Sequence, residues 1–391
     1  MLPIFYFKYI NLFKLYMKKI IGIFYNAYFN EESFETGCGG AETWVIQISK
    51  EFSRKGYHVI VFSQYDDWFF FNSGVEYVPI YLFESRIQYQ HFDYFIFVRS
   101  LDESYDMLVQ YNDCRNIYVQ SHDQFIWKDG LYNEKFNYNI NNRFDKVKKY
   151  IALTEFHKEE LMKFNNIPED KIEIIGNGLD SEIFNEVDKL QKPKIDHSIL
   201  WTSAFGRGGD ILIECIMPLV RKIIPDFEVH ICGYGDGVPD DIKNNPNVRF
   251  LGTLSKEDYY KEFRKHACWF LPCVVVEDFG ICAGEAAMCE CDIISPFKHG
   301  MKDVCWPFIS LKMNNEFNII ETDDYHYSTY QLDMYEEDFN RTCEEAAYKI
   351  VNSIMNYYNS GNIKIRRIFK DFIMKEHTWD KVTNKWINIF K

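Results

Sequence analysis

The sequence predicts an α/β fold made of two doubly wound domains, each built on its own parallel sheet. Two observations indicate this class. Short apolar, strand-like segments alternate with amphipathic, helix-like segments along the 391 residues. The alternation is interrupted by a polar stretch near residues 179–196 and then starts again. Short strands separated by helices favour a parallel sheet that helices cover on both faces.

The first half of the chain contains several strand-like segments and one well-marked helix. The helix is expected over 41–54, where Trp44, Ile48 and Phe52 recur at helical spacing after a glycine-rich turn. The predicted strands are residues 18–25, 57–63, 92–98, 116–120, 150–154 and 171–175.

The second half repeats the pattern. Ser255 has the character of an N-cap, and a kink is expected at Pro218 because proline cannot continue the helical hydrogen bonds. The predicted strands are residues 198–203, 227–232, 247–251, 268–276 and 291–295. The predicted helices are residues 208–224, 255–267, 281–290, 337–359 and 365–391.

These patterns divide the chain into five parts. They are an N-terminal extension (1–16), a first domain (17–180), a linker (181–196), a second domain (197–365) and a C-terminal helix (366–391) expected to pack back on the first domain. The extension is apolar and aromatic but is interrupted by lysines and an asparagine. It is either an interfacial anchor or an upstream segment before a start at Met17.

Composition and charge exclude several classes of protein. Lys and Arg total 44 and Asp and Glu total 58, and the net charge of −14 argues against a nucleic-acid partner, which needs clustered basic side chains. The 11 cysteines contain no C-x-x-C pair, which favours reduced thiols in a cytoplasmic protein. No segment reaches the ~18 uninterrupted apolar residues of a membrane helix, and peripheral membrane contact stays open as an alternative.

The strongest functional signal is the pair Glu277 and Glu285, eight residues apart around an Asp-Phe-Gly bend. Glu277 follows a predicted strand, and ligands of open α/β sheets bind at the carboxyl ends of strands. The amides of Phe279, Gly280 and Ile281 would open the next helix and favour a phosphate. Glu285 could accept hydrogen bonds from ribose hydroxyls. Both glutamates could instead be solvated residues beside a turn.

Two further loops follow strands of the second half. Arg207 lies in a glycine-rich turn, where its guanidinium could clamp a pyrophosphate or remain a surface group. Gly233 and Gly235 lie in a Gly-Tyr-Gly-Asp-Gly loop that permits close approach of a flat ring or a ribose. This glycine spacing is weak evidence by itself.

The first half offers two candidate ligand-binding positions. Gly39 and Gly40 open a predicted helix, whose N-terminus favours an anion. His122 and Asp123 follow a predicted strand, where the histidine is either a structural residue or faces a ligand.

Together these motifs resemble those of glycosyltransferase family 4, over roughly residues 18–300. The matching residues are Gly39–Glu42, Asn177–Asp180 with Phe184, Pro225–His230, Val248–Gly252, and Glu277 and Glu285 as the E-x₇-E motif. Thr378 and Trp379 are similar to the start of the family's C-terminal helix. The resemblance implies a GT-B fold, in which two Rossmann-like domains face one cleft. It also implies transfer of a hexose from a UDP- or GDP-sugar to an acceptor hydroxyl, with retention of configuration.

The resemblance implies roles for the matching residues of the second domain. Arg207 would neutralise the donor diphosphate, and Glu285 would hold the donor ribose. Glu277, with the amides of Phe279 and Gly280, would contact the transferred sugar.

The resemblance also implies three further contacts. The loop at Gly233–Gly235 would pack near the base. Gly39 and Gly40 would face the diphosphate or the sugar from the first domain, and His122 would lie near the reaction centre.

One position departs from the family pattern. Many members carry an arginine five residues before the position that Arg207 occupies, and this chain has Thr202 there. Either Arg207 suffices or a remote lysine supplies the second positive charge.

The predicted reaction needs no cofactor beyond the nucleotide-sugar co-substrate and no metal, since no Asp-x-Asp motif stands at a predicted strand end. The acceptor is a glycan, a lipid or a protein, and all three alternatives stay open. The alternatives are a nucleotide-sugar epimerase-like GT-B enzyme and a non-catalytic sugar-binding homologue.

Overall fold

The computed structural model describes residues 18–28, 31–36, 38–65, 70–126, 144–189, 194–233, 237–296, 299–304, 329–331 and 339–391. The predicted extension at 1–16 and Gly235 therefore lie outside the described residues. The chain forms two compact units. The first comprises Met1–Ser33, Gly40–Gly176 and Val382–Lys391, and the second comprises Phe34–Gly39 and Asn177–Lys381.

The first unit contains an eight-stranded sheet within the described part of the chain, in the order β3-β4-β2-β1-β5-β6-β7-β8. Its strands are β1 (Ile20–Tyr28), β2 (His58–Gln64), β3 (Phe70–Asn72), β4 (Val75–Pro79), β5 (Tyr94–Val98), β6 (Ile117–Gln120), β7 (Val147–Ala152) and β8 (Ile172–Ile174). β3 pairs antiparallel with β4, and the other pairings are parallel. Apolar residues fill the central strands without alternation, as expected for a sheet buried on both faces.

Four helices of the first unit are α1 (Gly40–Arg54), α2 (Phe83–Ile87), α3 (Glu103–Tyr111) and α4 (Glu155–Asn165). Side chains cap two of them: Asp102 accepts a hydrogen bond from the amide of Ser104, and Thr154 from that of His157. Such caps satisfy amide groups that a helix leaves without partners.

The second unit contains a six-stranded parallel sheet within the described residues, in the order β11-β10-β9-β12-β13-β14. Its strands are β9 (Ile195–Trp201), β10 (Glu228–Cys232), β11 (Val248–Gly252), β12 (His266–Phe270), β13 (Asp292–Ser295) and β14 (Thr329–Gln331). Its helices are α5 (Ser181–Asp188), α6 (Met217–Arg221), α7 (Asp240–Lys243), α8 (Lys256–Phe263), α9 (Ile281–Met288), α10 (Phe339–Met355) and α11 (Ser360–Glu376), and α12 (Trp379–Ile389) follows.

The stretch 181–196, predicted as a linker, instead begins with helix α5. The carboxylate of Asp180 caps it by accepting from the amide of Ile183 at 3.1 Å. Phe184 and Val187, three residues apart, are both buried. The short apolar repeat therefore outweighed the polar composition, because it gives the helix a face to bury.

Three other predicted elements differ from the structure. The strand expected over 268–276 ends at Phe270, and the three valines at 274–276 are exposed. The helix expected over 208–224 starts with a π-helical turn, Ile211–Ile216, before α6. The final predicted helix is two helices, because the chain turns between α11 and α12.

The turn between α11 and α12 is fixed by the segment that precedes α5. The carbonyl of His377 accepts from the amide of Leu179 at 2.7 Å, and Leu179 pairs with Thr378 in an isolated parallel bridge. A Cβ on Gly178 would lie 2.4 Å from the Trp379 ring, so only glycine fits this close approach.

The last ten residues belong to the first unit. Trp386 packs against Trp44 with ring centroids 5.8 Å apart, and Phe390 stacks on Tyr94 at 4.1 Å. The hydroxyl of Tyr118 donates to the carbonyl of Ile389 at 3.2 Å. These contacts close one face of the first unit's aromatic core.

Within the described ranges, no helix combines the length and apolar character that a bilayer crossing requires. The cysteines described are free thiols. Cys268, Cys289 and Cys291 are buried, and burial raises the pKa of each thiol.

Candidate active site

The carboxyl ends of β9, β10 and β12 lie at one edge of the second unit's sheet, since these neighbouring strands run parallel. Arg207 follows β9, Gly233 follows β10 and Glu277 follows β12. The fold thus brings three loops that are distant in sequence to the same edge, as the sequence predicts for a binding site.

Arg207 and Glu277 form an ion pair at this edge. Nη1 of Arg207 donates to Oε1 of Glu277. The arginine side chain is 40% exposed and the glutamate side chain 13%. Burial raises the pKa of Glu277, and the positive charge of Arg207 opposes this rise only in part. Arg207 is therefore the member of the pair that faces solvent, where an anionic ligand can reach its guanidinium.

Helix α9 begins beside Glu277. Gly280 adopts φ 81°, in the left-handed region, and a Cβ there would lie 2.7 Å from Cγ of Met301. The Phe279 side chain is buried, with its ring 5.5 Å from that of His377. The amide of Gly300 donates to the carbonyl of Glu277 at 2.7 Å. These contacts hold the loop that leads into Ile281, the first helical residue.

Glu285 lies within α9, and its carboxylate is almost completely buried, with 3% of the side chain exposed. Oε1 accepts from Nζ of Lys256 at 2.8 Å and from the Tyr260 hydroxyl at 3.2 Å. Oε2 accepts from the Tyr259 hydroxyl at 2.8 Å. The predicted ribose-binding carboxylate is thus held by three side chains of α8.

The loop after β10 is described only at its two ends. The amide of Gly233 donates to the carbonyl of Gly252 at 3.3 Å, and the Thr253 hydroxyl donates to the carbonyl of Gly233 at 3.2 Å. Gly233 therefore sits at the same strand-end edge as Arg207, whereas the predicted role of Gly235 stays a prediction.

Thr202, which stands where many family members have arginine, is buried. Its hydroxyl accepts from Nε1 of Trp269 at 2.9 Å. Thr202 therefore lies in the interior and, unlike an arginine, brings no positive charge to a phosphate.

His122 follows β6 in the first unit. Burial, with smaller contributions from His157 and Arg99, lowers its pKa to about 3, so the imidazole is neutral at physiological pH. Its Nε2 has no hydrogen-bond partner among the residues described, and its ring meets that of Trp44 edge-on at 5.8 Å. A neutral histidine of this kind can donate or accept a hydrogen bond but cannot supply a positive charge.

The segment beside His122 is braced by side chains that the sequence did not single out. Arg99 holds the Asp123 carboxylate through Nε at 2.7 Å and Nη2 at 3.2 Å. Nδ1 of His157 accepts from the amide of Leu153 at 3.1 Å, and its Nε2 lies 3.1 Å from the carbonyl of Asp123. Burial lowers the pKa of His157 to about 4.

The predicted glycine turn divides between the two units. Gly40 is the first residue of α1 in the first unit, whereas Gly39 belongs to the segment Phe34–Gly39, which is part of the second unit. Thr36 of this segment forms an isolated bridge with Ser255, the residue that caps α8.

Sequence reasoning missed Lys256, Tyr259 and Tyr260. Their spacing of three and four residues puts them on one face of a helix, and this was the available signal. These side chains contact Glu285 of α9, and only the tertiary structure shows this contact.

One group of the described residues has side chains suited to a metal ion. Ligand atoms of His230, Glu262 and His266 lie within 4.8 Å of one another, and all three residues are buried. His266 is the first residue of β12, so the group lies away from the carboxyl ends where Arg207 and Glu277 follow their strands. Lys265 already pairs with Glu262, and Ser198 with His266.

The described part of the chain also contains a cavity of about 580 Å³ beside α6 and α7, with Met217, Arg221 and Ile242 in its wall. None of the predicted site residues lines it.

Two family models match the chain, one in each half. Residues 38–183 match the model for Glycosyltransferase Family 4, and residues 196–306 match that for Glycosyl transferases group 1. No curated protein matches the sequence. The two matches and the fold show a glycosyltransferase that is similar to family 4 and has the GT-B fold.

Solved structures agree on the fold. A glycosyltransferase from Rickettsia africae is 14% identical with a TM-score of 0.67, over 96% of this chain and 98% of the other. Sucrose-phosphate synthase from Thermosynechococcus elongatus is also 14% identical, with a TM-score of 0.65 over 95% and 98%. HepE of Anabaena, in complex with UDP and glucose, is 13% identical, with a TM-score of 0.62 over 95% and 99%.

Proposed function

We propose that this glycosyltransferase moves a hexose from a UDP- or GDP-sugar to an acceptor hydroxyl, with retention at the anomeric carbon. The observation that carries the proposal is the strand-end edge of the second unit. There, a half-exposed arginine, a partly buried glutamate and a helix N-terminus converge. These are the groups that a diphosphate and a sugar hydroxyl require. HepE, which shares the fold, was solved with UDP-glucose.

In the proposed reaction, the acceptor oxygen bonds to the anomeric carbon on the face from which the phosphate leaves, while the bond from that carbon to the phosphate oxygen breaks. The acceptor releases its proton to solvent, and the nucleoside diphosphate leaves with one more negative charge than it carried in the donor. Arg207 and the amides of Gly280 and Ile281 stabilise this charge. Glu277 turns from Arg207 to a hydroxyl of the sugar.

The remaining predicted residues have supporting roles in the proposal. Glu285 accepts from the ribose, the Gly233 loop packs near the base, and Phe279 fixes the start of α9. His122 contributes as a neutral hydrogen-bonding group. Gly39 and Gly40 contribute backbone amides. The chemistry needs no cofactor and no metal, because protein groups supply the positive charge.

The proposal is tested with a panel of UDP-glucose, UDP-N-acetylglucosamine, UDP-galactose and GDP-mannose. We expect at least one donor to raise the melting temperature, because a ligand that binds only the folded state stabilises it. The same donor should be hydrolysed slowly and should yield a new glycoside with a suitable acceptor. Treatment with EDTA should leave turnover unchanged.

Other outcomes would contradict the proposal. An isomerised donor without a new glycoside would indicate an epimerase, and binding without turnover would indicate a sugar-binding homologue. Loss of turnover in EDTA that Mn²⁺ restores would contradict metal independence.

A further inference from the structure

The buried carboxylate of Glu285 has an unusual partner. Lys256 is the first residue of α8, where a positive charge opposes the partial positive charge of the helix N-terminus. A residue that breaks a local rule in this way commonly serves a site rather than its own helix. Its ammonium lies 2.8 Å from Oε1 of Glu285, with 22% of the lysine side chain exposed.

We propose that Lys256 is a positioning residue for the nucleotide-sugar: its ion pair with the Glu285 carboxylate orients that group so that Oε2 can accept a hydrogen bond from a ribose hydroxyl. This inference rests on the proposed function, because Glu285 must meet the donor for its orientation to matter.

The buried carboxylate of Glu285 has a cation beside it. A charged group inside a protein is costly unless an opposite charge pairs with it. Burial by itself lowers the pKa of Lys256, but the adjacent Glu285 carboxylate more than reverses this effect and raises it above its usual value. Lys256 therefore stays protonated and donates a charge-assisted hydrogen bond to Oε1 of Glu285.

The orientation of Glu285 follows from counting its acceptor positions. Each carboxylate oxygen accepts about two hydrogen bonds. Oε1 accepts from Lys256 and Tyr260 and is full, whereas Oε2 accepts from Tyr259 alone among the described residues. One position on Oε2 is left for a hydroxyl donor such as a ribose 2′- or 3′-OH.

The three side chains that hold Glu285, which we call the clamp, lie on one face of helix α8. Lys256, Tyr259 and Tyr260 are spaced by three and four residues, so they project from the same side of α8. The Ser255 hydroxyl caps this helix by accepting from the amide of Asp258 at 3.1 Å. Both tyrosines are buried, so the clamp is held by packing as well as by charge.

The test compares nucleotides that differ by one ribose hydroxyl. The affinities of UDP, 2′-deoxy-UDP and 3′-deoxy-UDP, and of the guanosine counterparts, are measured by calorimetry for wild type and variants. We expect wild type to lose about tenfold in affinity when the recognised hydroxyl is missing, as for a hydrogen bond to a charged group. Lys256→Met should bind the parent nucleotide about tenfold more weakly and no longer distinguish it from the deoxy form. Lys256→Arg should restore the discrimination.

A matched control lies one turn along the same helix. Lys261 pairs with Glu257 at 2.7 Å and makes no contact with Glu285, so Lys261→Met should behave as wild type. If Lys256→Met does not fold, Lys256→Gln tests the same contact, because it removes the charge and keeps a polar side chain at this position. It should reduce the discrimination about threefold.

The results separate the two proposals. Wild type that binds neither UDP nor GDP overturns the proposed function and this inference with it. Wild type that discriminates against a deoxy nucleotide, together with Lys256→Met that discriminates equally well, overturns the role of Lys256 alone. Full discrimination by Lys256→Gln has the same meaning.

Discussion

The two ion pairs of the candidate site differ in how far the protein satisfies them. Arg207 and Glu277 form a pair whose cation is 40% exposed, and one hydrogen bond joins them. Lys256 and Glu285 form a pair whose anion is 3% exposed, and two tyrosine hydroxyls complete it.

The difference in exposure and in hydrogen-bond partners suits the two ion pairs to different roles in binding. A partly exposed pair exchanges its partner at lower cost, because water reaches the arginine when the charges separate. A buried pair cannot separate cheaply, since each charge would be left without a partner in the interior. The first pair is therefore suited to rearrange around a diphosphate and a sugar, and the second to present a fixed acceptor.

The largest expected effect contrasts the stability of the two pairs. Glu285→Ala leaves a lysine and two buried hydroxyls without their acceptor and should lower the free energy of unfolding by about 3 kcal/mol. Glu277→Ala leaves behind only the 40% exposed Arg207, which water can solvate, and should cost less than about 1 kcal/mol. Urea denaturation followed by circular dichroism measures both. Equal losses would show that the pairs are equivalent.

The next effect concerns turnover. Arg207→Ala should lower kcat by about 10²-fold, because it removes a donor that stabilises the departing diphosphate. Its melting temperature should stay near that of wild type. Arg249→Ala, at an exposed position of β11, is the matched control and should keep full activity. Unchanged kcat for Arg207→Ala would remove Arg207 from the site.

The smallest effect is on the pH profile. Because the pKa of Glu277 is raised, kcat/KM should start to fall at a pH above the usual glutamate range as this carboxylate takes up a proton. The folded state binds this proton more readily than the unfolded chain, so the group costs no stability as pH falls. Activity should therefore decline before the protein unfolds. Glu277→Gln should flatten the acid limb, and an unaltered limb would assign it to another group.

Sequence reasoning predicted the α/β class and the positions of most strands, because short continuous apolar segments are typical of strands that are buried on both faces of a parallel sheet. It located Arg207, Glu277 and the start of α9 correctly at strand ends, since parallel strands bring their carboxyl ends to one edge. It missed α5, whose polar composition hid the apolar pair Phe184 and Val187. It also joined α11 and α12, because the turn between them depends on a contact with Leu179.

The sequence by itself determined which residues are candidates to bind the nucleotide-sugar, because glycine-rich turns and an E-x₇-E motif are local patterns. The tertiary structure alone decided how deeply those residues are buried and which side chains they pair with. Thr202 became an interior group and Glu285 a clamped carboxylate only through packing against Trp269 and α8. The physical reason is that burial and ion pairing depend on neighbours distant in sequence. For Lys256, 29 residues before Glu285, the chain order gives no sign of the contact.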